Sequence, residues 1–162
     1  MIIKKAIQKD FDRMADVWED SVAETYDFLT MKEIASLKKI LREKYLPSGD
    51  YVFYTLREND GDEIVCFSGI IDDKIEFLFV DPSRFGHGIG KEMLCHLLKK
   101  HKTTKVDIHE ANMHALSFYS KYGFVAKDKI NKDVYGKNFP IVLLKLDEKN
   151  IDSLVEKLSS EK

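Results

Sequence analysis

Three glycines at alternate positions, Gly86, Gly88 and Gly90, separate two contrasting stretches of this 162-residue chain. Ahead of them runs Phe77-Leu78-Phe79-Val80, an apolar, aromatic, strand-like segment closed by Asp81-Pro82. Proline cannot donate to a ladder, so the strand is expected to stop there. Behind them, Met93, Leu94, Leu97 and Leu98 recur at the spacing of one helix face. The glycines therefore fall between a strand and the first turn of a helix. That turn carries backbone N–H groups without intrahelical partners and the positive end of the helix dipole. Lacking Cβ atoms, glycines let a ligand approach the backbone closely. The chemistry offered is anion binding, suited to a phosphate or pyrophosphate. A strand-to-helix turn with no ligand would have the same composition.

The spacing narrows the choice of ligand. A dinucleotide fingerprint places its third glycine at the position held by Lys91, and a P-loop requires Ser or Thr where Glu92 stands. The pattern instead resembles the acyl-CoA pyrophosphate loop of the GNAT acetyltransferases, Gln/Arg-x-x-Gly-x-Gly/Ala after an apolar strand. Gly88 and Gly90 fall on its last two marked positions, and Phe85 replaces the usual Gln or Arg. That replacement removes one side-chain contact and leaves the backbone cradle. Further on, Asn112-Met113-His114-Ala115-Leu116-Ser117-Phe118-Tyr119-Ser120-Lys121-Tyr122-Gly123-Phe124 resembles the second signature of that family, Asn-x-x-Ala-x-x-Phe-Tyr-x-x-x-Gly-Phe, with every marked position present. The early segment from Ser21 to Thr30 and the late Gly136-Lys137-Asn138-Phe139-Pro140 are similar to small bacterial members of the YjaB type.

The resemblance implies an acetyl-CoA-dependent N-acetyltransferase that moves an acetyl group directly to an amine: a small amine, an amino acid or a protein amino group. The alternative from another class is a non-catalytic acyl-CoA-binding sensor or interaction module on the same fold. The family's strand before the glycine loop splays from its parallel neighbour. By that likeness, the backbone of Leu78, Phe79 and Val80 pairs with the pantetheine arm. The loop Gly86, His87, Gly88, Ile89, Gly90 and Lys91 holds the pyrophosphate, and Asn112 contacts CoA. Asn112 also suits the N-cap of a helix. Tyr119 maps onto the family tyrosine near the thioester sulfur, where a hydroxyl can protonate the departing thiolate; as a packed aromatic beside Phe118 and Tyr122 it would be structural.

An amine acceptor with a pKa near about 10.4 must lose a proton before it attacks. Three side chains present themselves as the base: Glu76, which shares its side-chain parity with Val80, His109 just before Asn112, and Asp107. A water chain serves equally. Tyr26, Phe28 and Leu29 sit between two helical segments, where they either shape an acceptor pocket or pack a corner.

The elements that must position these residues follow from local pattern. Ile2 to Ile7 reads as a first strand. Asp10 is placed to cap a helix whose face carries Phe11, Met14, Ala15, Trp18 and Val22, with Trp18 in the core. Thr30-Met31-Lys32-Glu33 is a capping box that starts a second helix, ended by Leu46-Pro47-Ser48-Gly49. Strands are expected at Tyr51 to Leu56 and Ile64 to Ile71 around the turn Asn59-Asp60-Gly61, then from Ile75 to Val80 after Asp72-Asp73. A strand over Lys105 to His109 would complete a right-handed βαβ unit. Gly123 ends the Asn112 helix, and Phe124 to Ile130 with Phe139 to Leu146 form a hairpin around Gly136. Ile151, Leu154, Val155 and Leu158 mark a last amphipathic helix.

The implied fold is α/β (α+β): a single GNAT domain over residues 1–146, extended by a helical tail over 147–162. Its sheet is mixed and mostly antiparallel, with six to seven strands, a central splayed parallel pair and helices on both faces. A formal net charge of −2 gives no basic field to attract nucleic acid. Cys66 and Cys95 lie far apart in apolar runs, as reduced core residues of a cytoplasmic protein. No signal peptide or membrane-length apolar run is visible, and no metal-ligand spacing. The basic Lys99-Lys100-His101-Lys102 reads as a solvated helix end. A monomer or homodimer without metal, nucleic acid or membrane partner is expected.

Overall fold

The computed structural model describes residues 1–58, 63–131 and 140–160. The turn signals Asn59-Asp60-Gly61 and Gly136, with the segment through Phe139, lie outside these residues. The strands are β1 (Ile2–Lys5), β2 (Val52–Arg57), β3 (Ile64–Ile71), β4 (Lys74–Val80), β5 (Lys105–His109), β6 (Val125–Ile130) and β7 (Ile141–Lys145). The helices are α1 (Phe11–Thr25), α2 (Met31–Ile40), α3 (Ile89–His101), α4 (Met113–Lys121) and α5 (Ile151–Ser160). The strands form one seven-stranded sheet in the order β1-β2-β3-β4-β5-β7-β6.

The chain comprises two compact units, Met1–Ile71 with Glu76–Leu94, and Asp72–Ile75 with Cys95–Lys162. In the first, β1 pairs antiparallel with β2 and β2 with β3. Successive side chains of a strand point to opposite faces. Phe67 of β3 stacks on Phe79 of β4 at 5.8 Å, and Trp18 of α1 meets Phe79 edge-on at 6.4 Å, so α1 covers that face. Ser68 points the other way, and its hydroxyl lies 3.3 Å from Met93 Sδ of α3. Helices therefore cover both faces of the first unit. Gly69 admits this packing: a Cβ there would lie 2.4 Å from Phe53 Cε1 and 2.8 Å from Phe77 Cδ2.

The expected capping box is present: Thr30 Oγ1 accepts from Glu33 N–H at 3.1 Å, while Glu33 Oε1 accepts from Thr30 N–H at 3.0 Å. Asp10 departs from expectation. It sits at the N-terminal boundary of α1, but its carboxylate makes no cap bond to that helix. Its Oδ2 accepts from Ile7 N–H at 3.0 Å and its Oδ1 pairs with Arg57 at 2.8 Å. A buried guanidinium needs a carboxylate more than a helix end needs a cap, because an unpaired buried charge costs more. The first strand also stops at Lys5 rather than Ile7, giving way to a tight 3-10 turn over Gln8–Asp10.

In the second unit the first two residues of β4 pair parallel with β5, Lys74↔Lys105 and Ile75↔Val106, and that pairing then ends. β5 pairs antiparallel with β7, and β7 with β6. Asn112 Oδ1 accepts from Ala115 N–H at 3.1 Å and caps α4, and Gly123 at φ +92° follows its end. On α5, Ile151, Leu154 and Leu158 are buried, and Ser159 Oγ lies 3.6 Å from Cys95 Sγ. The tail thus packs on its own chain. Both cysteines are unpaired, and burial, with a smaller push from the Glu92 charge, raises the Cys66 thiol far above its ordinary value. Among the described residues no helix is long and apolar enough to cross a membrane.

Candidate active site

The glycine loop is built by local hydrogen bonds at the end of β4. Asp81 Oδ1 accepts from Ser83 N–H at 3.0 Å and Ser83 Oγ at 2.9 Å, which shapes the turn Pro82–Arg84. Asp81 N–H donates to Val65 O of β3 at 2.8 Å. Gly86 and Gly88 then adopt φ +80° and +76°, a region that favours glycine. Their Cβ positions point into open space: nothing lies within 4 Å at Gly86, and only Lys91 Cε, at 3.8 Å, at Gly88. The first i to i−4 bond of α3 runs from Glu92 N–H to Gly88 O at 3.0 Å, so the amides of Ile89 and Gly90 precede it. Ile89 is buried and anchors the helix start, whereas Gly86, His87 and Gly88 are exposed. The residues fit an anionic ligand on the loop, because the space that side chains would fill is open and the helix N-terminus faces it.

Two ion pairs frame the loop, and neither was legible in the sequence. Arg13 of α1 donates from Nε to Ile64 O at 3.0 Å and from Nη2 to Asp81 Oδ2 at 2.8 Å. Burial pushes the Asp81 carboxyl up, but the bonds from Ser83 and then Arg13 outweigh it and hold the group below the usual carboxylate range. Arg84 donates from Nε and Nη2, one edge of its guanidinium, to the two carboxylate oxygens of Glu58, which lowers the Glu58 carboxyl. Arg84 is thereby committed and does not stand in for the Gln or Arg that Phe85 replaces.

In the second unit, a tight turn after β5 brings His109 and Asn112 together: Asn112 N–H donates to His109 O at 2.8 Å. His109 is buried, and its Nδ1 accepts from Ala111 N–H at 3.3 Å. A neutral imidazole in that bond carries its proton on Nε2. Asp107 forms an ion pair with Lys74. Tyr119 is 4% exposed on α4, edge-on to Phe118 at 5.1 Å and to Phe124 at 5.3 Å.

Back in the first unit, Glu76 is exposed, and strand alternation sets it on the face of β4 opposite Phe77 and Phe79. Leu78, Phe79 and Val80 are half-buried. Tyr26 and Phe28 stack at 5.2 Å in the turn after α1, while Leu29 is buried beneath that turn. The sequence left pocket and corner open for this segment; Leu29 packs as a corner, and the two rings remain half-exposed.

The chain thus carries a glycine loop at a helix N-terminus on a mixed seven-stranded sheet with a short parallel pair. The model of the acetyltransferase (GNAT) domain family matches residues 19–142, and the chain belongs to that family. The peptidyl-lysine N-acetyltransferase YjaB of Salmonella typhimurium is 30% identical over 143 residues, spanning 88% of this chain and 95% of the relative. The solution structure of apo-form YjaB from Escherichia coli matches with a TM-score of 0.76 at 25% identity, covering 90% of this chain and 97% of that one. The fold also matches the PaiA N-acetyltransferase of Thermoplasma acidophilum, solved in complex with coenzyme A, with a TM-score of 0.67 at 22% identity over 89% of this chain and 98% of that one. The protein is an acetyl-CoA-dependent N-acetyltransferase that transfers to an amine acceptor.

Proposed function

We propose that this enzyme acetylates lysine side chains of proteins or peptides and that the residues named above carry the reaction. The observation that carries the site is the loop at Gly86 and Gly88, whose positive φ values and open Cβ positions suit a pyrophosphate against the N-terminus of α3. Support for the acceptor comes from the likeness to a peptidyl-lysine N-acetyltransferase along nearly its whole length.

When bound, acetyl-CoA supplies an activated acyl thioester. The amides of Gly86, Gly88, Ile89, Gly90 and Lys91 would hold its pyrophosphate, whereas the His87 amide, expected among them, donates to Arg84 O at 3.3 Å and shapes the turn instead. The backbone of Leu78, Phe79 and Val80 would pair with its pantetheine arm. Asn112 serves both as the cap of α4 and as a CoA contact. The Tyr119 hydroxyl donates a proton to the departing thiolate; burial of its ring among Phe118 and Phe124 fixes its direction. Tyr26 and Phe28 offer aromatic faces to the lysine stem, with Leu29 as their support.

Glu76 takes the proton from the acceptor ammonium, directly or through water. Two rivals are occupied elsewhere. Asp107 is paired with Lys74. His109, with Nδ1 accepting from Ala111, presents Nε2–H and therefore orients a partner as a donor. Residues 147–162 extend this single catalytic domain.

The experiment is thiol release from acetyl-CoA with lysine peptides, free amino acids, polyamines and small amines as acceptors. Lysine peptides are expected to give the highest kcat/KM, and a preference for polyamines refutes the acceptor assignment. With the best acceptor, Tyr119→Phe is expected to lower turnover by roughly a hundred- to ten-thousandfold, the range for losing a general acid. Affinity for acetyl-CoA should stay within about twofold, since the cradle contacts remain. Unchanged turnover would remove Tyr119 from proton transfer.

A further inference from the structure

We propose that Arg13 is a positioning residue for the glycine loop, acting through Asp81. This inference rests on the loop being the pyrophosphate site. Arg13 belongs to α1, 68 residues away in sequence from the aspartate it bonds. Its guanidinium divides its donors: Nε goes to the carbonyl of Ile64 at the start of β3, and Nη2 goes to Asp81 Oδ2. A planar fork held at two points fixes where the carboxylate lies.

Asp81 in turn has every bonding group assigned. Its amide is tied to Val65 O, Oδ1 holds the amide and hydroxyl of Ser83, and Oδ2 is held by Arg13. This carboxylate is therefore the hinge pin between the end of β4 and the turn that delivers Gly86 and Gly88. The side chains are largely shielded, with 16% exposure at Asp81 and 32% at Arg13. Glu63, at 3.6 Å from Arg13 and 63% exposed, is a weaker competitor for the guanidinium. Glycines at positive φ have no side chain to hold them. The loop must take its order from its flanks, and Asp81 is the upstream flank while buried Ile89 is the downstream one. Nothing else on α1 bonds this turn among the described contacts. Losing the guanidinium leaves Asp81 its backbone bond to Val65 and its Ser83 bonds, but releases Oδ2 and with it the tie between the turn and α1.

The test uses Arg13→Gln, Arg13→Lys and Asp81→Asn in the full chain, with two readouts. One is the Kd for CoA by calorimetry. The other is amide hydrogen exchange over residues 82–91, compared with the core strand Ile64–Ile71, in the protein without CoA. Arg13→Gln is expected to weaken CoA by about ten- to a hundredfold, the value of a charged hydrogen bond used for order. Exchange in the loop should quicken while that of β3 holds.

Asp81→Asn should give a similar loss, and the double variant should lose little more than either single one, because the two residues act as one unit. Arg13→Lys restores a point charge without the fork and should recover part of the affinity. Wild-type Kd and wild-type loop exchange in Arg13→Gln overturn the proposal. So does a lowered melting temperature with unchanged Kd, which marks a purely structural residue. If wild type binds no CoA, the pyrophosphate reading itself falls. If wild type binds CoA and only the Arg13 variants behave as wild type, that reading stands and this inference fails.

Discussion

Replacing Gly88 by alanine separates ligand binding from folding at a single methyl group. At φ +76° an L-residue carries backbone strain, and a Cβ there would meet only Lys91 Cε, at 3.8 Å. The cost to the fold is therefore strain alone, about 1–2 kcal/mol. For a chain of this size each kcal/mol moves the melting temperature by about 2–4 °C, so a fall of roughly 2–8 °C is expected. The methyl group stands in the open space above the loop, where a pyrophosphate must approach the amides. Loss of a charge-assisted hydrogen bond costs about 1.5–3 kcal/mol, which weakens CoA by roughly ten- to a hundredfold.

Gly69→Ala is the opposite case. Its Cβ would lie 2.4 Å from Phe53 Cε1, 2.7 Å from Phe53 Cδ1 and 2.8 Å from Phe77 Cδ2. Overpacking of that kind costs about 1–3 kcal/mol or more and does not touch the loop. Calorimetry with CoA and a thermal melt on both variants decide the matter. The reasoning is refuted if Gly88→Ala binds CoA like wild type, or if both variants lose affinity in step with their melting temperatures.

Other expectations rest on burial. Asp10→Asn removes the carboxylate that pairs with the Arg57 guanidinium, whose side chain is 9% exposed beside an aspartate at 4%, and should destabilise the protein by about 1–3 kcal/mol in a denaturant titration. In wild type, burial pushes the Asp10 carboxyl up, and the Ile7 amide and Arg57 more than offset it, so its folded pKa is lowered. A lowered carboxylate contributes stability above its unfolded pKa of about 3.9 and loses it as pH falls through the folded value. Its share of the melting temperature should therefore hold from pH 7 to about 5 and decline below about 4, and the Asn variant should lack that share of the decline. Cys66, buried and with its thiol raised by burial, should resist iodoacetamide until the protein unfolds, and reductant should leave the melting temperature unchanged because both cysteines are unpaired. Rapid native labelling at Cys66, or a shift on reduction, contradicts this packing.

The residues that could be read in advance solve their chemistry within a few positions of themselves. Thr30 and Glu33 satisfy one another across one helical turn, and Asn112 bonds an amide three residues on. Gly86 and Gly88 take positive φ because the turn between β4 and α3 demands it. Met93, Leu94, Leu97 and Leu98 are wholly buried, as one stripe of α3 should be. Asp10 shows where such reasoning stops. Its position promised a helix cap, but a buried guanidinium from β2 claimed the same carboxylate. Asp107 followed the same rule: Lys74, far off in the sequence, forms an ion pair with it.

By itself, then, the sequence determined the order of helices and strands, the glycine loop and the caps at Thr30 and Asn112, because these depend on periodicity, backbone freedom and hydrogen bonds between near neighbours. The family of chemistry came from the likeness of its two motifs to the GNAT signatures. Tertiary structure alone decided that β7 lies between β5 and β6, that Gly69 must be small for Phe53 and Phe77 to meet, and that Arg13 reaches Asp81. Those outcomes depend on which distant charges and rings packing brings within a few ångströms. A spacing of 68 residues carries no periodic signal of such a meeting. The charge pairs form where burial makes an unpaired carboxylate or guanidinium too costly to leave alone.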